Sequence, residues 1–218
     1  MPMITALTTQ KKHKDRVNVF LDGAFAFGLP FAVAARLKIG QTLVESEIEA
    51  LQRENTLDKV KNTAVRLISY RPRSITEVRR HLDRKGYEAE LIEAVIDQLQ
   101  MVELLDDTAF ARFWVEQRET FKPRSRMALQ QELRQKGVSR EVIKTALTDL
   151  NEMDAARRAA TAKTRSWTQL PEPDFRKKLG GFLQRRGFHY GIIKEITDEL
   201  WQAIVADADN SNPTHEGD

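Results

Sequence analysis

With 218 residues, 41% of them hydrophobic and 31% charged, the chain can make one or two domains or a short array, and it is too apolar to be disordered in bulk. It has no cysteine, which excludes disulfides and thiol nucleophiles, and no apolar run approaches the roughly eighteen residues of a membrane span. The net charge is only +3, but the basic residues are concentrated in particular stretches.

Residues 4–29 read as β structure. Ile4–Gln10 is a short threonine-rich run, and Val17, Val19 and Leu21 alternate with Asn18, Phe20 and Asp22, the period-2 pattern of a strand. Asp22-Gly23 is a tight-turn dipeptide, and Ala24–Leu29 returns as the second strand of a hairpin. Lys11–Arg16 is read as the loop before it. Pro30 suits the first turn of a short helix through Leu37. Gly40 breaks the chain, and Ser46 with Glu49 three residues on predicts a capped helix over Glu47–Glu54. The N-terminal stretch has no basic region followed by an apolar one, which argues against secretion and for the cytoplasm.

From Leu57 onward the period changes to that of helices. Residues 70–87, 121–138 and 171–188 repeat one pattern, aligned on Gly86, Gly137 and Gly187, which lie 51 and then 50 residues apart. Leu82, Leu133 and Leu183 fall four residues before each glycine, and Ile92, Ile143 and Ile193 keep the register after it. A fixed period near 50 residues marks a repeat architecture. Each repeat predicts three helices: in the first, residues 57–68, a helix from Ser74 stopped by Gly86, and Ala89–Val102. Asp106-Asp107 opens the second repeat, whose Phe110, Phe113, Trp114 and Phe121 have core spacing. In the third, Gly180-Gly181 falls inside the second helix, where each glycine costs about 1 kcal/mol relative to alanine.

The expected fold is therefore mainly α: three tandem three-helix repeats sharing a stacked core in an elongated curved array, after a small module containing a β-hairpin. The expected boundaries are 1–56 for the N-terminal module, 57–105, 106–153 and 154–205 for the repeats, and 206–218 for a disordered acidic tail.

Charge follows the repeat. Residues 70–86 carry six Lys/Arg against two acids, 121–137 five against one, and 171–187 five against two. Residues 87–105 reverse the sign, with five acids and no base. The candidate binding residues are Arg73, Arg79, Arg80, Arg84 and Lys85, then Arg124, Arg126, Arg134 and Lys136, then Arg176, Lys177, Lys178, Arg185 and Arg186. Basic residues repeated in step suit an anionic partner, and equally a solvated helix face.

No catalytic constellation accompanies them. The phosphate-cradling, dinucleotide and nucleophile-elbow motifs are absent, and His13, His81, His189 and His215 lack metal-ligand spacing. The reading is a protein without enzymatic activity, cofactor or metal.

The run Leu104-Leu105-Asp106-Asp107, then Phe110-Ala111, Trp114-Val115 and Arg118, then Glu132-Leu133 with Lys136-Gly137-Val138, resembles the RecX family, bacterial regulators of the RecA recombinase. The N-terminal Arg16-Val17-Asn18-Val19 through Asp22-Gly23 is similar to the leader of many members, and the resemblance extends over about residues 1–203. It implies a protein that binds RecA and lodges in the RecA–DNA filament, and the chain is expected to be a monomer. There it would inhibit ATPase, strand exchange and coprotease functions, modulating DNA repair and the SOS response. Weak direct DNA binding is compatible with this reading, and a membrane partner is not part of it. Two alternatives stay open: a helix-turn-helix-like DNA-binding protein, and a helical scaffold for another acidic partner.

Overall fold

The computed structural model describes residues 1–11 and 14–210. Its start is a three-stranded antiparallel sheet of order β1-β2-β3, with β1 at Ile4–Thr9, β2 at Arg16–Leu21 and β3 at Ala24–Pro30. Asp22 (φ 49°) and Gly23 (φ 85°) make the turn between β2 and β3, the left-handed pair that suits the twist of a hairpin. Alternation then sorts the side chains. Val17 pairs with Leu29 and Val19 with Phe27, and these residues are buried with Ile4, Val33, Ala34, Leu43 and Ile48. Arg16, expected in a loop, instead begins β2. Its guanidinium donates to Asp58 at 3.0 Å and to the buried Asn55, tying the sheet to the helix behind it. Lys12 and His13 lie outside the described residues.

Pro30 precedes a four-residue α1 (Phe31–Ala34), shorter than the helix expected through Leu37. The largest departure follows. α2 runs unbroken over 26 residues, Glu45–Tyr70, so the two helices expected at 47–54 and 57–68 are one, and the boundary placed at 56/57 falls inside it. No glycine or proline lies between 45 and 70, and one helical hydrogen-bond ladder costs less than breaking it at Asn55-Thr56. The cap is displaced as well: Glu47, not Glu49, reaches back, its carboxylate accepting from the Val44 N–H at 2.8 Å, and Ser46 lies within the helix.

The remaining helices follow the repeat. They are α3 (Ile75–Asp83) and α4 (Ala89–Met101); α5 (Asp107–Phe121), α6 (Arg126–Gln135) and α7 (Arg140–Ala146); and α8 (Glu152–Thr164), α9 (Glu172–Arg185) and α10 (Tyr190–Asn210). Asp106 caps α5, accepting from Thr108 and Ala109 N–H groups at 2.7 and 3.2 Å. α10 continues through Asn210, so residues 206–210 are helical rather than part of a disordered tail; residues 211–218 lie outside the described residues.

The chain divides into two compact units: Met1–Arg71 with Val78–Leu105, and Pro72–Glu77 with the chain from Asp106 onward. In the first, Val60 and Ala64 of α2 are buried, as are Val78 and Leu82 of α3 and Ile92, Val95, Ile96 and Leu99 of α4. In the second, two separate cores form. One gathers Phe110, Val115, Leu129, Leu133, Ile143 and Leu147, and the other Ala156, Trp167, Phe175, Leu179, Leu183 and Ile196. Within this unit the second and third repeats thus each have a core of their own, since three short amphipathic helices around one large phenylalanine already enclose about ten side chains. Phe121, expected among the core aromatics, is 71% exposed at the end of α5.

Candidate functional site

The equivalent helices α3, α6 and α9 carry the basic residues singled out by the sequence. Each buries an apolar stripe: Val78 and Leu82, Leu129 and Leu133, Phe175, Leu179 and Leu183. With those positions fixed inward, the cations fall on the flanks and outer face, and the structure divides them into two kinds.

The first kind is engaged within the fold. Arg79 of α3 grips Glu93 of α4 through two bonds of 2.7 Å each. These hydrogen bonds hold the Glu93 carboxyl below the usual carboxylate range. Arg124 reaches Glu132 at 3.0 Å. Arg126 donates to the carbonyls of Leu147 and, at 2.9 Å, Leu150, satisfying the end of α7. Arg176 bridges Glu172 at 2.7 Å and also Asp198 on α10. Arg73 is half-buried before α3.

Lys136 and Arg186 have a further role. Each precedes the glycine that ends its helix in the left-handed conformation, Gly137 and Gly187 at φ 80° and 87°. In both, the carbonyl of the basic residue accepts a hydrogen bond from a buried serine at the head of the preceding repeat's helix. The Ser74 hydroxyl donates to Lys136 O at 2.6 Å, and the Ser125 N–H donates to Arg186 O at 3.1 Å. The side chains close the joint. Lys136 Nζ meets Glu77 at 2.6 Å, and Arg186 donates to Pro123 O at 2.9 Å. Burial, helped by the nearby Arg124, pushes the Arg186 guanidinium pKa down. Each glycine is needed for a second reason: a Cβ on Gly137 would lie 2.0 Å from Thr76 Oγ1, and one on Gly187 2.6 Å from Ser125 Oγ.

The residues of the second-repeat motif meet at this joint. The Trp114 indole N–H donates to Glu132 at 2.7 Å, Arg118 donates to the same carboxylate at 2.8 Å, and the cations of Arg118 and Lys136 lie 4.4 and 4.9 Å from the Trp114 ring centre. Sequence reading missed Ser74, Ser125 and Glu77 as joint residues. The available signal was the serine twelve residues before Gly86 and before Gly137.

The second kind is exposed: Arg80, Arg84 and Lys85 on and after α3, Arg134 on α6, and Lys177, Lys178 and Arg185 on α9. Arg80 and Arg84 share one side of their helix at i,i+4 spacing. Lys178 stands 4.8 Å from the Trp167 ring centre while its side chain remains exposed. Among the described residues no group of three or more His, Cys, Asp or Glu could hold a metal ion. His189 accepts weakly from the Ile192 N–H at 3.5 Å, at the start of α10. No described helix is long and apolar enough to cross a membrane. The site therefore offers charge, hydrogen bonds and an ordered helix face, the means of binding a partner.

Four family models match in chain order: the RecX N-terminal domain over residues 2–44, and the first, second and third RecX three-helix domains over 61–99, 106–147 and 151–197. The Bacillus subtilis (strain 168) regulatory protein RecX is 32% identical over 205 residues, covering 92% of this chain and 78% of the relative. The chain belongs to the RecX family. Regulatory protein RecX from Clostridium botulinum (strain Eklund 17B / Type B) is 30% identical over 206 residues, covering 91% of this chain and 96% of its own length. A crystal structure of regulatory protein RecX superposes with a TM-score of 0.71 at 27% identity, covering 91% of this chain and all of the other. RecX from Lactobacillus salivarius, with a TM-score of 0.57 at 22% identity over 66% of this chain, shares the fold. The relatives are named regulatory proteins, and the helical repeats seen here match the family's three-helix domains.

Proposed function

We propose that this chain binds RecA and the RecA–DNA filament as a cytoplasmic monomer and restrains its recombinase, ATPase and coprotease activities, so modulating DNA repair and the SOS response. Family membership along the whole repeat region supports this reading. The observation that carries it at the residue level is the division of the cations. Once the joints have used Lys136 and Arg186, and ion pairs have used Arg79, Arg124 and Arg176, each repeat still leaves exposed cations on or beside the same helix. An exposed charge without a structural task can serve a charged partner, and binding through it weakens with salt. Neither catalysis nor a cofactor forms part of the proposal. The helix-turn-helix alternative is disfavoured in the first repeat, because its α4 carries Glu90, Glu93 and Asp97 and no base, a poor face to set against phosphates.

The test is a three-way comparison of the purified chain: RecA filament on single-stranded DNA, bare single strand, and bare duplex. Preference for the filament, together with slowed RecA ATP hydrolysis, is the expected result. Equal binding to all three, with RecA activity unchanged at equimolar protein, contradicts it.

A further inference from the structure

The joint between repeats is an acceptor turn receiving a helix head, and among the described residues nothing is seated on the acceptor of the first repeat. Gly86 adopts the same left-handed conformation (φ 80°) as Gly137, but a Cβ placed there meets nothing within 4 Å. Lys85, the counterpart of Lys136, is exposed, and no acid among the described residues pairs with it. Beside this turn lies a cavity of about 430 Å³ whose lining includes Arg66, Leu67, Tyr70, His81, Lys85 and Tyr87. In the repeat register Leu67 and His81 stand where the second repeat has Trp114 and Glu132. The floor is ordered, Tyr87 Oη lying 3.2 Å from Thr63 Oγ1, while Tyr70 is 71% exposed at the rim.

We propose that the Lys85-Gly86 turn and this cavity receive the N-terminus of a helix from a protein partner, one with a Ser or Thr cap and an acidic residue in its first turn. The chain itself supplies the template. At the joint within the second unit, the Ser74 hydroxyl binds the carbonyl before the glycine, and Glu77, three residues on, pairs with the lysine at 2.6 Å. The cations Arg66 and Lys85 give the cavity the charge that such an acid needs. A second copy of the chain is the wrong occupant for head-to-tail stacking. In the third repeat α9 begins early, at Glu172 after Pro171, and the position twelve before Gly187 is the buried Phe175, not a serine. The first repeat thus keeps an open acceptor, and the third lacks the matching donor.

The inference rests on the proposed reading that the partner is a protein, with the RecA filament as probe. Lys85→Glu and Tyr70→Ala, both at exposed positions, should leave the Tm within a degree or two of wild type yet weaken filament binding, each about tenfold. Binding to bare single-stranded DNA should change far less. If wild type binds filaments and both folded variants bind them equally well, the inference is overturned while the proposed function stands. If Lys85→Glu loses the same factor on bare DNA, the turn is a phosphate contact and the inference is again overturned. Wild type that ignores filaments altogether overturns the proposed function itself and with it this acceptor.

Discussion

Gly86 and Gly137 occupy the same place in consecutive repeats, and a methyl group should affect them differently. Both have φ of 80°, so an L-residue costs about 1–2 kcal/mol at either. At Gly137 the new Cβ also overlaps Thr76 at 2.0 Å, with an overpacking cost of roughly 1–3 kcal/mol more, whereas at Gly86 the space is open. Thermal melts should therefore show Gly137→Ala clearly less stable than Gly86→Ala, and equal losses would contradict the joint. Gly180 is the opposite case. A Cβ there would lie 3.7 Å from Ile193 Cγ2, an ordinary contact, and alanine removes the glycine's entropic cost in a helix. Gly180→Ala should raise the Tm, by the equivalent of about 0.5–1 kcal/mol, and a lower Tm would show that α9 and α10 need the closer approach.

At the scale of elements, surface ion pairs link neighbouring helices and give the fold a predictable response to acid. Hydrogen bonds from Arg79 hold Glu93 below the usual carboxylate range, and those from Arg157 do the same for Glu199. A carboxyl whose pKa is depressed on folding contributes stability above its unfolded value, near 4.3 for glutamate, and loses it as pH falls through the folded value. Both pairs are well exposed, so each contributes little to stability. Arg79→Gln should accordingly melt slightly below wild type at pH 7, and the gap should close as the pH approaches 3. A gap independent of pH would show that Arg79 acts through packing alone. Much at this scale was legible in the sequence. The hairpin followed from alternation around Asp22-Gly23, and α3 and α4 followed from Ser74, Gly86 and the apolar spacing. The continuity of α2 was not, because Asn55 and Thr56 look like a break until the buried Asn55 is seen accepting from Arg16, 39 residues earlier in the chain. The division of the basic residues was equally hidden. Whether a basic side chain is a strut or a free charge depends on partners such as Glu77 and Pro123, 59 and 63 residues away from Lys136 and Arg186.

For the whole molecule, the repeated Lys/Arg-Gly signature has two uses. In the second and third repeats it closes a joint, and in the first the same turn lies open. The second-repeat motif around Trp114, Arg118, Glu132 and Lys136 belongs to the structural part, so its loss should destabilise that repeat rather than only remove a contact surface. The proposed regulatory contact is left to the exposed cations. Its most direct test is the salt dependence of binding to RecA filaments, measured for wild type and for Arg80→Glu with Arg84→Glu. Both positions are exposed, so the double variant should keep its Tm while binding about tenfold or more weakly at low salt and with a shallower salt dependence. A folded double variant that follows the wild-type curve from low to high salt would contradict the account and leave these cations as a solvating surface.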